Sequence, residues 1–165
     1  MTEDPEFGRE LHRARLVDNV ACFEAAAGAD VAPAVHPEHP QVLVVDDDRD
    51  TADSIADCLR VSCELGVTVA YRGWDAMKLM ETSHPDAVVL DIGMPQIDGL
   101  QVARWIRLRP WGRTVPLIAL TAWSQPADRQ RTSAAGFDLH LTKPVDPDQL
   151  GVELRALIAA VPARQ

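Results

Sequence analysis

The sequence predicts an α/β fold, a doubly wound parallel sheet with helices on both faces, and three observations carry that reading. Short apolar runs without polar alternation, Val42-Leu43-Val44-Val45 and Ala87-Val88-Val89-Leu90, have the character of strands covered on both sides. Stretches with helical spacing separate such runs, so that five strands alternate with five helices. The strands also end on polar residues, namely Asp46-Asp47, Asp91, Thr121 and Lys143. In open parallel sheets the carboxyl ends of the strands are where ligands gather.

Taken in order, residues from about Gly8 to Ala27 suit an amphipathic helix, with Leu16, Val20, Phe23 and Ala27 on one stripe and Phe7, Leu11 and Ala14 on another. Such a helix is marginal alone and is expected to lean on this domain or on a partner. His12 within it reads as a solvated residue. Pro33, Pro37 and Pro40 mark an extended linker, which divides the chain into an N-terminal helix plus linker over residues 1–40, a domain over 41–161 and a tail over 162–165. The prolines forbid the helix that would bring His36 and His39 together on a metal.

After the first strand a helix starts near Arg49, capped by Asp48 or Asp50, with Ala52, Ile55, Ala56 and Leu59 on its inner face. A strand over 66–71 and a helix over 74–82 with Ala76, Leu79 and Met80 follow. The central strand then runs into Asp91, and Gly93, Pro95 and the pair Asp98-Gly99 read as turn chemistry. Leu100, Ala103 and Ile106 define a third helix stopped by Pro110 and Gly112, and a strand over 115–120 ends at Thr121. Pro126 opens a more polar helix that Gly136 closes, and a strand over 139–142 ends at Lys143-Pro144. Asp146-Pro147-Asp148-Gln149 supplies an N-cap, a first-position proline and a capping-box partner for a last helix, which should bury Leu150, Leu154, Leu157, Ile158 and Val161.

With 165 residues, 47% of them hydrophobic, the chain suffices for one domain and a short appendage. A net charge of −9 argues against a nucleic-acid surface, which needs clustered basic residues. Lacking an apolar run of roughly 18 to 20 residues and a basic leader, the protein is expected to be cytoplasmic, without membrane contact. Cys22, Cys58 and Cys63 read as reduced, mostly buried thiols. Of the 16 basic residues only Lys78 and Lys143 are lysine, which makes Lys143 a departure from the habit of the chain.

Asp46, Asp47 and Asp91 at one edge repel each other and call for a cation. Oxygen ligands, few in number, suit Mg²⁺ with retained waters and an open side for phosphate. A lysine and a threonine hydroxyl beside one aspartate would hold the equatorial oxygens of a phosphoryl group, leaving Asp91 as nucleophile. Singly, these residues have ordinary alternatives: helix caps for Asp46 to Asp48, a strand terminus for Thr121, a solvated charge for Lys143.

The acidic cluster, the loop Leu90-Asp91-Ile92-Gly93-Met94-Pro95 with Asp98-Gly99, the pair Thr121-Ala122 and Leu141-Thr142-Lys143-Pro144 closely resemble the receiver domain of two-component response regulators. The resemblance spans about Gln41 to Val161. It implies a flavodoxin-like (βα)5 fold with strand order 2-1-3-4-5, in which Asp91 accepts a phosphoryl group from a histidine kinase or a histidine phosphotransfer protein. It further implies that Asp47, Asp91 and the Gly93 carbonyl ligate Mg²⁺, that Asp46 acts mainly through water, that Thr121 and Lys143 grip the phosphoryl oxygens, and that Lys143-Pro144 is cis. Such a protein is a phosphoacceptor that catalyses only its own phosphotransfer and autodephosphorylation. Since the sequence ends shortly after Val161, no output domain is expected; the reading is a single-domain regulator with a downstream protein target, compatible with a homodimer. The alternatives are a phosphate-shuttle or docking receiver excised from a hybrid kinase, and a phosphatase with an aspartate nucleophile. The last would resemble haloacid dehalogenase-type enzymes, whose second aspartate is replaced here by Gly93. The chain departs from the family at His140, where a switch aromatic is usual, while Gly93 and Trp123 fill its two variable positions. Trp123 is expected to cover the mouth of the site and limit water.

Overall fold

Strands β1 (Gln41–Val45), β2 (Gly66–Ala70), β3 (Ala87–Asp91), β4 (Leu117–Thr121) and β5 (Leu139–Thr142) form one parallel sheet in the order β2-β1-β3-β4-β5. Helices α1 (Arg49–Cys63), α2 (Gly73–Thr82), α3 (Gly99–Arg107), α4 (Pro126–Ala135) and α5 (Pro147–Ala160) follow the strands in turn. This flavodoxin-like arrangement comes from a computed structural model that describes residues 39–122 and 125–161. The expected N-terminal helix, the linker through residue 38, Cys22, Trp123 and the tail lie outside the described residues.

The runs that look uniformly apolar in sequence divide by alternation between two cores. Leu43, Val45, Val88, Leu90, Leu117 and Ala119 face Ala76 and Met80 of α2 and Ala103 and Ile106 of α3. Val42, Val44, Val89, Ile118 and Leu120 face Ile55 and Leu59 of α1 and Leu150 and Leu154 of α5. Each fully buried aliphatic side chain contributes about 1.5–3 kcal/mol, and a register slip of one residue would exchange the two sets. Gly151 lets α5 approach α1 closely, because a Cβ there would collide with Cys63 Sγ.

Aspartates fix the starts of α1, α3 and α5. Asp48 accepts from the backbone of Asp50 and Thr51, and Asp146 accepts from Asp148 N. The reciprocal capping box, expected at Gln149, forms instead at α3 between Asp98 and Gln101. Asp98 is thus a cap rather than a turn residue. Other boundaries also shift. β4 begins after Pro116, which has no N–H for a ladder, and α3 stops at Arg107 with a 3₁₀ turn at Trp111–Arg113 beyond it. Leu157, Ile158 and Val161 are only half-buried, and Cys58 is exposed while Cys63 is buried. Among the described residues no helix is long and apolar enough to cross a membrane.

Arg107 ties the far end of this frame together. Its guanidinium donates to the carbonyls of Gly112 (2.6 Å), Val115 (2.7 Å) and Gly136 (2.6 and 2.8 Å), and pairs with Asp138 at 2.8 Å. One planar fork therefore joins the end of α3, the approach to β4, the cap of α4 and the start of β5. Arg107→Ala should lower unfolding free energy by about 2–4 kcal/mol, since several carbonyls lose charge-assisted bonds at once. Urea unfolding with an unchanged m-value is the measurement, and Arg107→Lys should recover only part of the loss.

Candidate functional site

The order of strands reverses between β1 and β3, and the carboxyl ends there open onto a crevice. Asp46 follows β1, its backbone N–H donating to Ala70 O at 3.2 Å. Its side chain is 1% exposed. The three consecutive aspartates divide their tasks: Asp46 points into the site, Asp47 is exposed beside it, and Asp48 caps α1. Asp91 is the last residue of β3, where Ile92 N–H donates to Leu120 O at 2.9 Å and pins the strand end to β4. Thr121, buried, ends β4 in the same layer, and Lys143 N–H donates to Thr121 O at 2.8 Å. The Lys143-Pro144 peptide is cis.

Lys143 Nζ lies 2.6 Å from Asp46 Oδ2 and 2.8 Å from Asp91 Oδ1. One oxygen each of Asp46, Asp47 and Asp91 fall within 4.8 Å of one another. Three carboxylates against one ammonium leave the pocket with a surplus of negative charge. Burial pushes the Asp46 carboxyl up from its ordinary pKa, the hydrogen bond from Lys143 opposes this, and the charge of Asp91 pushes it further up. For Lys143, burial pulls the pKa down but the hydrogen bonds to Asp46 and Asp91 outweigh it, so the ammonium is held charged. This donor set, three hard oxygens with excess charge and an open side at Asp47, fits a small divalent cation.

The loop after β3 is shaped by two glycines with different tasks. A Cβ on Gly93 would stand 3.4 Å from Asp91 Oδ2, an ordinary contact, so Gly93 borders the acceptor without crowding it. A Cβ on Gly99 would be driven into the Asp91 carbonyl oxygen, so α3 can start here only because this residue lacks one. The turn itself is made by Gln96 at φ 68°, a non-glycine in the left-handed region. His140, the residue at odds with the resemblance, lies on β5, its Nδ1 3.2 Å from Thr132 Oγ1. Beside Lys143 an open groove of about 610 Å³ runs between α1 and the loop leading to α5, lined by Asp50, Thr51, Ser54, Ile55 and Pro144.

A sequence profile of the response regulator receiver domain matches residues 42–155. An uncharacterised 14.6 kDa protein in the sodA1 3′ region of Leptolyngbya boryana is 43% identical over 109 residues, 66% of this chain and 82% of that protein. The response regulator MprA of Mycobacterium sp. strain KMS is 39% identical over 118 residues, 72% of this chain, which spans only 50% of MprA. Among solved structures, the receiver domain of a signal transduction histidine kinase from Syntrophus aciditrophicus superimposes with a TM-score of 0.70 at 28% identity, covering 76% of this chain and 95% of that one. The receiver domain of the sensor histidine kinase PA1611 from Pseudomonas aeruginosa PAO1, crystallised with magnesium in its active-site cleft, gives 0.68 at 33% identity, with 74% and 99% covered.

The glycine geometry yields a paired test. Gly99→Ala should lower stability by about 1–3 kcal/mol through forced displacement of the Asp91 backbone, and should weaken cation binding with it. Gly93→Ala should leave the melting temperature nearly unchanged. Thermal unfolding of both variants, with and without Mg²⁺, makes the comparison.

Proposed function

This chain belongs to the response regulator receiver family, and we propose that Asp91 takes the phosphoryl group of a phosphohistidine donor. The observation that carries this is the position of Lys143, which joins Asp46 and Asp91 at the point where the strand order reverses. In the transfer an Asp91 carboxylate oxygen forms a bond to phosphorus, the phosphorus–nitrogen bond breaks, and the donor imidazole leaves with the bonding pair. Lys143 holds the acceptor carboxylate before transfer and neutralises a phosphoryl oxygen after it. The Thr121 hydroxyl donates to another of those oxygens. Asp47, Asp91 and the Gly93 carbonyl would hold Mg²⁺, with Asp46 acting mainly through water. When bound, the ion supplies neutralising charge to the phosphoryl oxygens and to the three carboxylates.

The donor is a histidine kinase or a histidine phosphotransfer protein, and the groove beside Lys143 is a surface on which its helix can seat. Phosphorylation signals through a conformational change to a protein target in the cytoplasm. A second reading, a phosphate shuttle within a kinase relay, is favoured by the likeness to receiver domains of sensor kinases. A phosphatase is disfavoured because Gly93 stands where a general acid for a leaving group would be needed.

Acetyl phosphate should label the protein once, and only with Mg²⁺ present. Asp91→Asn should abolish the label, read by phosphate-affinity electrophoresis; labelling at the wild-type level elsewhere in that variant refutes the assignment. Loss of a residue acting through water typically weakens a metal about 10–100-fold, so Asp46→Ala should fall in that range and Asp47→Ala beyond it. Mg²⁺ titrations of the two variants settle the order, and equal affinities would place the metal elsewhere.

A further inference from the structure

No Asp or Glu occurs between Asp98 and Asp128, although 25 of the 165 residues are acidic, and Arg104, Arg107, Arg109 and Arg113 all fall inside that gap. The fold gathers them where α3 ends, at the opposite end of the helix from Gly99 and Asp91. Arg107 is occupied by Asp138 and the carbonyls described above. The other three form no ion pair among the described residues, and Arg104 and Arg113 are exposed. The Arg109 guanidinium lies over the Trp105 ring, 3.7 Å from its centroid, and donates to Trp105 O at 3.3 Å. Trp105 meets Trp111 edge to face at 6.3 Å, and Trp111 stacks on His84 at 4.8 Å. Both indoles also pack on the core beneath them, so the row is firmly seated and the Arg109 charge is held in position. One turn beyond Arg104, on the same face of the helix, Leu108 is 78% exposed.

We propose that this end of α3 is a docking surface for a short acidic segment of another protein, whose carboxylates pair with Arg104 and Arg109 while an apolar side chain covers Leu108. Charge complementarity carries the choice of occupant. A planar guanidinium already fixed on an indole loses little freedom when it takes a carboxylate, so the contact is preorganised. Single-stranded nucleic acid fits poorly, because bases need a free ring face, and here one face of Trp105 holds Arg109 while Trp111 is stacked on His84. A long polyanion would also run past the patch onto a chain of net charge −9, whereas a short segment stays within about one Debye length of the arginines. An anionic membrane meets the same repulsion, and Leu108 alone is a meagre apolar anchor for it. A second copy is also a poorer fit. Its α1 offers Asp53 and Asp57, but Tyr71 and Arg60 already hold these at 2.7 and 2.9 Å, and a contact between unlike faces leaves both ends of the pair open.

The test is a titration of the full chain, labelled with nitrogen-15, with a short synthetic peptide of repeating Glu-Glu-Leu and with its Gln-Gln-Leu counterpart, followed by NMR. The acidic peptide should bind saturably, shifting the amides of Arg104, Leu108 and Arg109 and the indole N–H of Trp105, while the glutamine peptide leaves them in place. Arg104→Glu and Arg109→Glu should each weaken binding about tenfold. Arg104 is exposed, so its variant keeps the test sound even where Arg109→Glu disturbs the row of rings. Absence of saturable binding, shifts confined to other surfaces, or unchanged affinity in both variants overturns the proposal. So does tighter binding, sensitive to the same substitutions, of an oligothymidylate or of phosphatidylserine vesicles, which would make this a surface for nucleic acid or for lipid. Sedimentation of the wild type that shows self-association lost in Arg104→Glu overturns it in favour of a second copy.

Discussion

One ammonium group meets three carboxylates at the edge of the sheet, and the rest of the structure serves to hold that imbalance in place. Withdrawing Asp46 and Asp91 from water costs several kcal/mol per ion, and Lys143 offsets only part of it. A flexible frame would relax by turning the carboxylates outward. This frame does not, because Asp91 ends a strand buried along its whole length and Asp46 follows one buried on both faces. Asp48 fixes the start of α1, and Gly99 lets α3 close over the backbone of Asp91. The apolar cores on both faces thus provide the energy against which the charged pocket is maintained.

How much of this was legible in the sequence depends on whether the signal is local. Asp46, Asp91 and Thr121 could be read because each follows an apolar run, and a strand end is visible as an abrupt change of polarity; Lys143 follows the mixed stretch Leu139-His140-Leu141-Thr142 and stood out instead as one of only two lysines. The cap and proline of α5 were legible for the same reason. Asp98 was not, since an Asp-Gly pair carries turn chemistry and cap chemistry alike, and only Gln101 three residues later discriminates. Arg107 was invisible because its partners Gly136 and Asp138 lie 29 and 31 positions away and are joined to it only by the fold. Gln96 and Glu64 sit in the left-handed region without the glycine that would announce it. The exposure of Cys58 is likewise set by the position of the neighbouring elements, not by the apolar periodicity of α1.

Packing is uneven around the site. α1 and α5 cover one face of the sheet with continuous aliphatic contacts, whereas α4 is largely polar and buries only Thr132 and Ala135. Elements with few buried apolar contacts open at low free energy. The imidazole of His140 bonds to Thr132, so a side chain on the same face of the sheet as Thr121 is tied to the helix with the fewest buried apolar residues.

The bond from Lys143 to Asp46 spans 97 residues of sequence. The acidic half of the pocket therefore leaves a ribosome well before its counter-charge does. Asp91 precedes Lys143 by 52 residues, so at a synthesis rate of roughly 5–20 residues per second both carboxylates are made about 3 to 10 seconds before the lysine follows. During that time β1 and β3 can pair, but their carboxylates have no lysine between them, and dissolved cations are the available compensation. The nascent chain thus passes through a stage in which ionic conditions act on the order of assembly, and its sensitivity to divalent ions should be greatest before the protein is complete.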